Sequence, residues 1–130
     1  FQSVVSACVL SQMQLALRTE LSESHPLLGA LGYTLSLTHL RTLAALTAPG
    51  GCALLASDVA DEQIAPLAGL PRDANLLELL AQLVLAGDVF HTLDAVLLSQ
   101  MSLDDPTLVR EIALQPLQDV WLWQLTAEGT

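Results

Sequence analysis

Two apolar runs, Phe1-Gln-Ser-Val-Val-Ser-Ala-Cys-Val-Leu-Ser-Gln12 and Ala48-Pro-Gly-Gly-Cys-Ala-Leu-Leu-Ala-Ser-Asp58, constrain this chain most. Each is short, and each closes on small polar residues. Buried parallel strands read this way, because both faces are covered and the carboxyl end delivers a ligand-facing loop. The stretch between them carries a helical pattern. Strand, helix and strand in this order predict a βαβ unit with a parallel pair and a right-handed crossover, hence an α/β nucleotide- or cofactor-binding domain. Composition alone does not select that fold, since 52% hydrophobic residues with few aromatics suit a helical protein equally well. A length of 130 residues implies one domain at most, with enough apolar content for a core.

Along the chain, Val4, Val5, Ala7 and Cys8 predict a first strand with β-branched residues at its centre. A helix from Ser11 toward Leu21 follows from the spacing of Met13, Leu17 and Leu21 on one face. Ser22-Glu-Ser-His-Pro26 breaks it. Pro26 is tolerated in the first turn of a second helix that carries Leu28, Leu31, Leu35, Thr38, His39, Leu43 and Leu46. Gly29 and Gly32 lie inside that pattern as expected packing contacts. Pro49-Gly50-Gly51 stops the helix, with glycine expected in the left-handed conformation of a C-cap, and Cys52 to Ala56 forms the second strand. Ser57 and Asp58 then fall at its carboxyl end.

Beyond Asp58, Pro66, Gly69 and Pro71 mark loops around a helical turn near Gln63. Asp73 is the expected N-cap of a helix running through Ala86 and ended by Gly87. Val89-Phe90-His91 reads as a brief extended segment. Leu93 to Met101 and Pro106 to Ile112 read as short helices, the second capped by Asp105. Leu117 to Leu125, apolar on both faces, suits a covered strand.

Fourteen acidic residues stand against Arg18, Arg41, Arg72 and Arg110, with no lysine, for a net charge of −10. A nucleic-acid surface needs clustered cations, so this chain is not expected to bind one. No apolar stretch reaches the roughly 20 residues needed to span a bilayer, and no signal peptide is visible. The expectation is a cytoplasmic protein without a membrane partner. Cys8 and Cys52 lack the paired spacing of a zinc site and read as reduced structural thiols.

The chain carries no G-x-G-x-x-G, no G-x-x-x-x-G-K-[ST], no G-x-S-x-G and no H-E-x-x-H. Its three histidines are scattered, and no metal site is expected.

The run from Ser3 to Gln12, then Thr38-His-Leu-Arg-Thr-Leu-Ala45, then Pro49-Gly-Gly-Cys-Ala-Leu-Leu-Ala-Ser-Asp58 resembles the fourth strand, following helix and fifth strand of class I S-adenosylmethionine-dependent methyltransferases. Val120-Trp-Leu-Trp-Gln124 would correspond to one of that family's final antiparallel strands. The resemblance implies the C-terminal half of a Rossmann-like methyltransferase sheet, with parallel strands, flanking helices and a late antiparallel strand. It covers most of the chain in order and spacing, although no single motif in it is specific. The family's glycine-rich loop and ribose-binding acidic residue have no counterpart here and would lie before Phe1, so the chain reads as a piece of a longer enzyme that binds the cofactor weakly or not at all by itself.

By the same resemblance, Ser6, Ala7, Cys8, Leu10 and Gln12 match the positions beside the S-adenosylmethionine cofactor, with Cys8 and Leu10 also readable as core. Asp58 and His91 are the candidates for substrate contact or catalytic base, because methyl transfer from a sulfonium needs in-line positioning and sometimes a base. A helix cap for Asp58 and a surface or packing role for His91 are the plainer readings. The acceptor is expected to be a small molecule, and unpaired strand edges favour edge-to-edge homodimers. Two other readings compete: a Leu-rich all-helical chaperone or adaptor module, and half of a nicotinamide-dependent dehydrogenase.

Overall fold

The computed structural model describes residues 1–60, 67, 69–89 and 95–111. Within them the order is β1 (Ser3–Ala7), α1 (Val9–Glu20), α2 (Leu28–Leu46), β2 (Cys52–Ala56), α3 (Leu76–Ala86), α4 (Ala95–Asp104) and α5 (Leu108–Glu111). The architecture is mixed α/β, which excludes the all-helical module. The strands β1 and β2 pair in parallel, with Ser3 opposite Cys52 and Ala7 opposite Ala56. The expected helical turn near Gln63, most of the extended segment at His91, the final strand Leu117 to Leu125 and Ile112 lie outside the described residues.

Register is set at the amino ends of the strands by backbone bonds. The Cys52 N–H donates to the Gln2 carbonyl at 2.9 Å, and the Ala48 N–H donates to the Phe1 carbonyl at 2.6 Å. Between α2 and β2 the chain turns at Ala48-Pro49-Gly50-Gly51, where the Gly51 N–H donates to the Ala48 carbonyl at 2.8 Å and Gly50 has φ 76°. Proline followed by a glycine at positive φ is the pattern of a type II turn. The glycine therefore belongs to the turn and not to a helix C-cap, which is instead Thr47 in an extended conformation.

Both early helices bury a face shifted from the expected one, with Leu43 buried and Leu17, Leu21, Leu28, Leu35 and His39 half-buried as flanks. In α1 the buried residues are Leu10, Ser11 and Gln14, while Met13 is exposed. In α2 they are Gly32, Ser36 and Leu43, while Leu31 and Leu46 are exposed. The reason is polar: the Gln14 amide donates to the Gly32 carbonyl at 2.8 Å and to the Ser36 hydroxyl at 2.9 Å. Small residues at positions 32 and 36 let the helices approach closely enough for this amide to reach across. A Cβ at Gly29 would meet nothing within 4 Å, so that position does not need glycine for close packing, contrary to its expected role.

The α3 helix is capped by Asn75, whose side chain accepts from the Glu78 N–H, and not by Asp73. Asn75 sits immediately before the helix, where its carbonyl oxygen can meet the N3 amide. Gly87 ends the helix at φ 79°, with the Asp88 N–H donating to the Leu83 carbonyl as in a Schellman motif.

Asp105 caps α5 as expected, accepting from the Thr107 and Leu108 N–H groups at 3.1 and 3.0 Å. It also accepts from Arg41 of α2 at 2.5 Å, tying the crossover helix to the α4–α5 turn. The buried apolar residues Leu10, Leu43, Leu80, Met101 and Leu108 form the core among the described residues. The Arg41 guanidinium, then the Leu108 and Thr107 amides, hold the Asp105 carboxyl below its ordinary value of 3.8. A depressed carboxyl stabilises the fold fully above 3.8, and that stability is lost as pH falls through the lower folded value. Urea midpoints measured through the acid range should therefore drop more steeply in the native chain than in Asp105→Asn. Parallel curves for the two would remove this ion pair from the account.

Candidate functional site

The carboxyl ends of the two parallel strands are where an open α/β sheet presents ligand-binding groups. Cys8 occupies the junction between β1 and α1. Its N–H extends the ladder by donating to the Ala56 carbonyl at 2.8 Å, and its own φ of 56° turns the chain into the helix. A non-glycine residue in the left-handed region carries a cost of roughly 1–2 kcal/mol, which the ladder bond before it and the helical bond from the Gln12 N–H to its carbonyl offset.

Asp58, two residues beyond β2, meets this junction from the neighbouring strand. The Ser11 hydroxyl donates to Asp58 Oδ2 and to the Cys8 carbonyl, both at 2.9 Å, a bifurcated arrangement for its one proton. The Cys8 thiol donates to Asp58 Oδ1 at 3.8 Å. Cys8, Ser11 and Asp58 thus form one polar cluster linking residues 47 and 50 positions apart. Next to it, the Ser57 Oγ is buried without a hydrogen-bond partner among the described residues. An unsatisfied buried hydroxyl costs roughly 1–3 kcal/mol.

Burial pushes the Cys8 thiol above its ordinary 9.0, and the charge of Asp58 and its hydrogen bond push it further. The thiol therefore stays protonated at neutral pH, unlike a nucleophilic cysteine, which needs a lowered value. In a Cys52→Ser background, Asp58→Asn should bring the Cys8 titration down toward 9.0 without passing it, because burial is the largest cause and remains. Alkylation rates followed against pH measure this. An unchanged curve would show that the carboxylate does not act on the thiol.

The other expected site residues are distributed differently. Ser6 is buried and shares a 2.8 Å hydrogen bond with His39 Nε2 of α2, the donor depending on the imidazole tautomer. Burial holds His39 below its ordinary 6.5, so the ring is neutral at neutral pH. Leu10 is completely buried, whereas Ala7 and Gln12 are exposed. His91 lies outside the described residues. Sequence reading missed Ser11, although a serine three residues after the strand-end cysteine is spaced to bond back to that residue's carbonyl. It also missed the Ser6–His39 pair, for which no local signal exists.

Among the described residues no cluster of three His, Cys, Asp or Glu side chains is arranged to hold a metal ion, and no helix is long and apolar enough to cross a membrane. Compared with known proteins, the chain matches no family model, no curated protein and no solved structure.

Proposed function

We propose that the chain is the C-terminal half of a class I methyltransferase-like domain, and that it takes part in S-adenosylmethionine-dependent methyl transfer to a small molecule. The observation that carries this reading is the convergence of Cys8, Ser11 and Asp58 at the carboxyl ends of two parallel strands. Support also comes from Ser57, a buried hydroxyl at that same edge that the described fold does not satisfy. Polar groups gathered at strand ends suit a ligand with hydroxyl and amino groups.

S-adenosylmethionine supplies a methyl group already activated on a sulfonium. The protein's part is then to orient and to accept hydrogen bonds, with no covalent intermediate required. Asp58 is the group placed to accept a hydrogen bond from a bound hydroxyl or amine. The protonated Cys8 thiol suits close packing beside a ligand. On the outer face of the strand pair, Val5 and Leu54 lie opposite each other and are 66% and 56% exposed, where a helix of a complete domain would pack, while its further strands or a second copy would pair at the sheet edges.

Calorimetric titration of S-adenosylmethionine tests the reading, using this chain and the protein extended upstream of Phe1. Binding by the extended protein, weakened by Asp58→Asn, is the expected result. Absence of binding by either protein would sink it.

A further inference from the structure

A groove of about 250 Å³ lies between the end of α1 and the start of α2, lined by Gln14, Arg18, Glu23, His25, Leu28 and Gly29 among others. It contains none of the strand-end residues of the methyl-transfer site. Gln14 is 4% exposed, and its amide nitrogen is committed to the Gly32 carbonyl and the Ser36 hydroxyl. Those two bonds fix the orientation of the amide, since a carbonyl cannot accept from Oε1. Gln14 lines the groove, and the polar atom it has left to offer is the acceptor Oε1, which calls for a ligand N–H or O–H.

Arg18, whose side chain is 24% exposed, is the one arginine lining this groove. Its contact with Glu23 is a single loose one of 3.7 Å to a side chain that is 86% exposed. An exposed pair of that geometry is worth little and leaves most of the guanidinium's donors for another carboxylate. The His25 Nδ1 accepts from the Leu27 N–H, which turns the other ring nitrogen away from the backbone. Gly29 adds open space, because a Cβ there would meet nothing within 4 Å.

We propose that this groove binds a small carboxylic acid bearing a hydroxyl or amino group, its carboxylate on Arg18 and its donor on Gln14 Oε1. The volume suits a molecule of a few heavy atoms, given that one water occupies about 30 Å³ of liquid. The pairing sets the specificity: an acid without the donor leaves the Gln14 Oε1 acceptor to water, and an ester without the charge forfeits the guanidinium. This inference stands whether or not the methyl-transfer reading holds, since it concerns different residues and a different probe.

The test is a titration of the intact chain with glycolate, followed by amide nitrogen–proton correlation spectra, with methyl glycolate and acetate as comparisons. Saturable shifts confined to the region of residues 14–32 are expected. Affinity should fall about tenfold or more for methyl glycolate and in Arg18→Gln, the loss of a charge-assisted hydrogen bond. Gly29→Leu, whose Cβ meets nothing within 4 Å and whose longer side chain competes for the groove, should abolish the shifts while leaving the circular dichroism unchanged. Equal binding by Arg18→Gln, or glycolate shifts no different from those with methyl glycolate, would overturn the proposal.

Discussion

Replacing Leu10 by alanine is expected to destabilise the protein by about 2–5 kcal/mol, the range for deleting a fully enclosed leucine side chain. Leu10 is 0% exposed and stands second in α1, two residues after the strained Cys8 and directly before Ser11. Its side chain anchors the helix start on which both of those residues depend. A cavity there would loosen the cluster around Asp58 as well as the core. With ordinary domains stable by only about 5–15 kcal/mol, the loss would be a large share of the total. Urea unfolding measures it as a lower midpoint at unchanged slope. A change under about 1 kcal/mol would mean that Leu10 packs loosely.

Gly51→Ala should be nearly as costly for an opposite reason, because nothing is removed and no room exists for what is added. A Cβ at position 51 would lie 2.7 Å from the Gln2 carbonyl oxygen and 2.9 Å from that of Ala48. Both are backbone atoms already engaged, by Cys52 and by Gly51 itself, in the bonds that set strand register. Neither can rotate away as a side-chain tip would. The expected loss is about 1–3 kcal/mol, as for overpacking. Gly29→Ala provides the contrast: its Cβ meets nothing, the position is helical, and a gain of roughly 0.5–1 kcal/mol is expected. Thermal unfolding of the two variants beside the parent would separate them. Equal and small shifts would show that the turn relaxes around the added methyl.

Both variants concern local geometry, and local geometry is what could be read from the residues. The β2 bounds, the break at Ser22 to Pro26, the long crossover helix, the stop at Gly87 and the Asp105 cap were all legible. Each is dictated by proline's fixed φ, glycine's access to positive φ, or a side chain bonding to a backbone amide a few residues away. Local rules also explain the two small misassignments. Asp73 and Asn75 are both capping residues, and only the start of the helix at Leu76 selects the second. Gly50 takes positive φ as expected, but in a proline-led turn after the helix has already ended.

Helix faces were not legible, because hydrophobic spacing counts leucines and methionines and gives no weight to a buried amide. Met13 and Leu31 looked like core, and neither Gln14 nor Ser36 was counted in a buried face. In the structure Met13 and Leu31 are exposed while Gln14 and Ser36 are buried, since the Gln14 amide satisfies its nitrogen on α2 and brings Gly32 and Ser36 inward with it. A buried amide whose N–H groups are both bonded can occupy a helix interface without leaving a donor unmet.

What the sequence by itself determined is the succession of strands, helices and turns, and the delivery of Cys8 and Asp58 to strand ends, because these follow from preferences acting over a few residues. Tertiary structure alone decided that Ser11 meets Asp58, that Ser6 meets His39 and that Arg41 meets Asp105, across 47, 33 and 64 positions. Those pairings depend on the register of β1 against β2 and on the rotation of α1 and α2 about their axes. Neither quantity is encoded by neighbours along the chain. Both are set by what the assembled core and its buried hydrogen bonds permit.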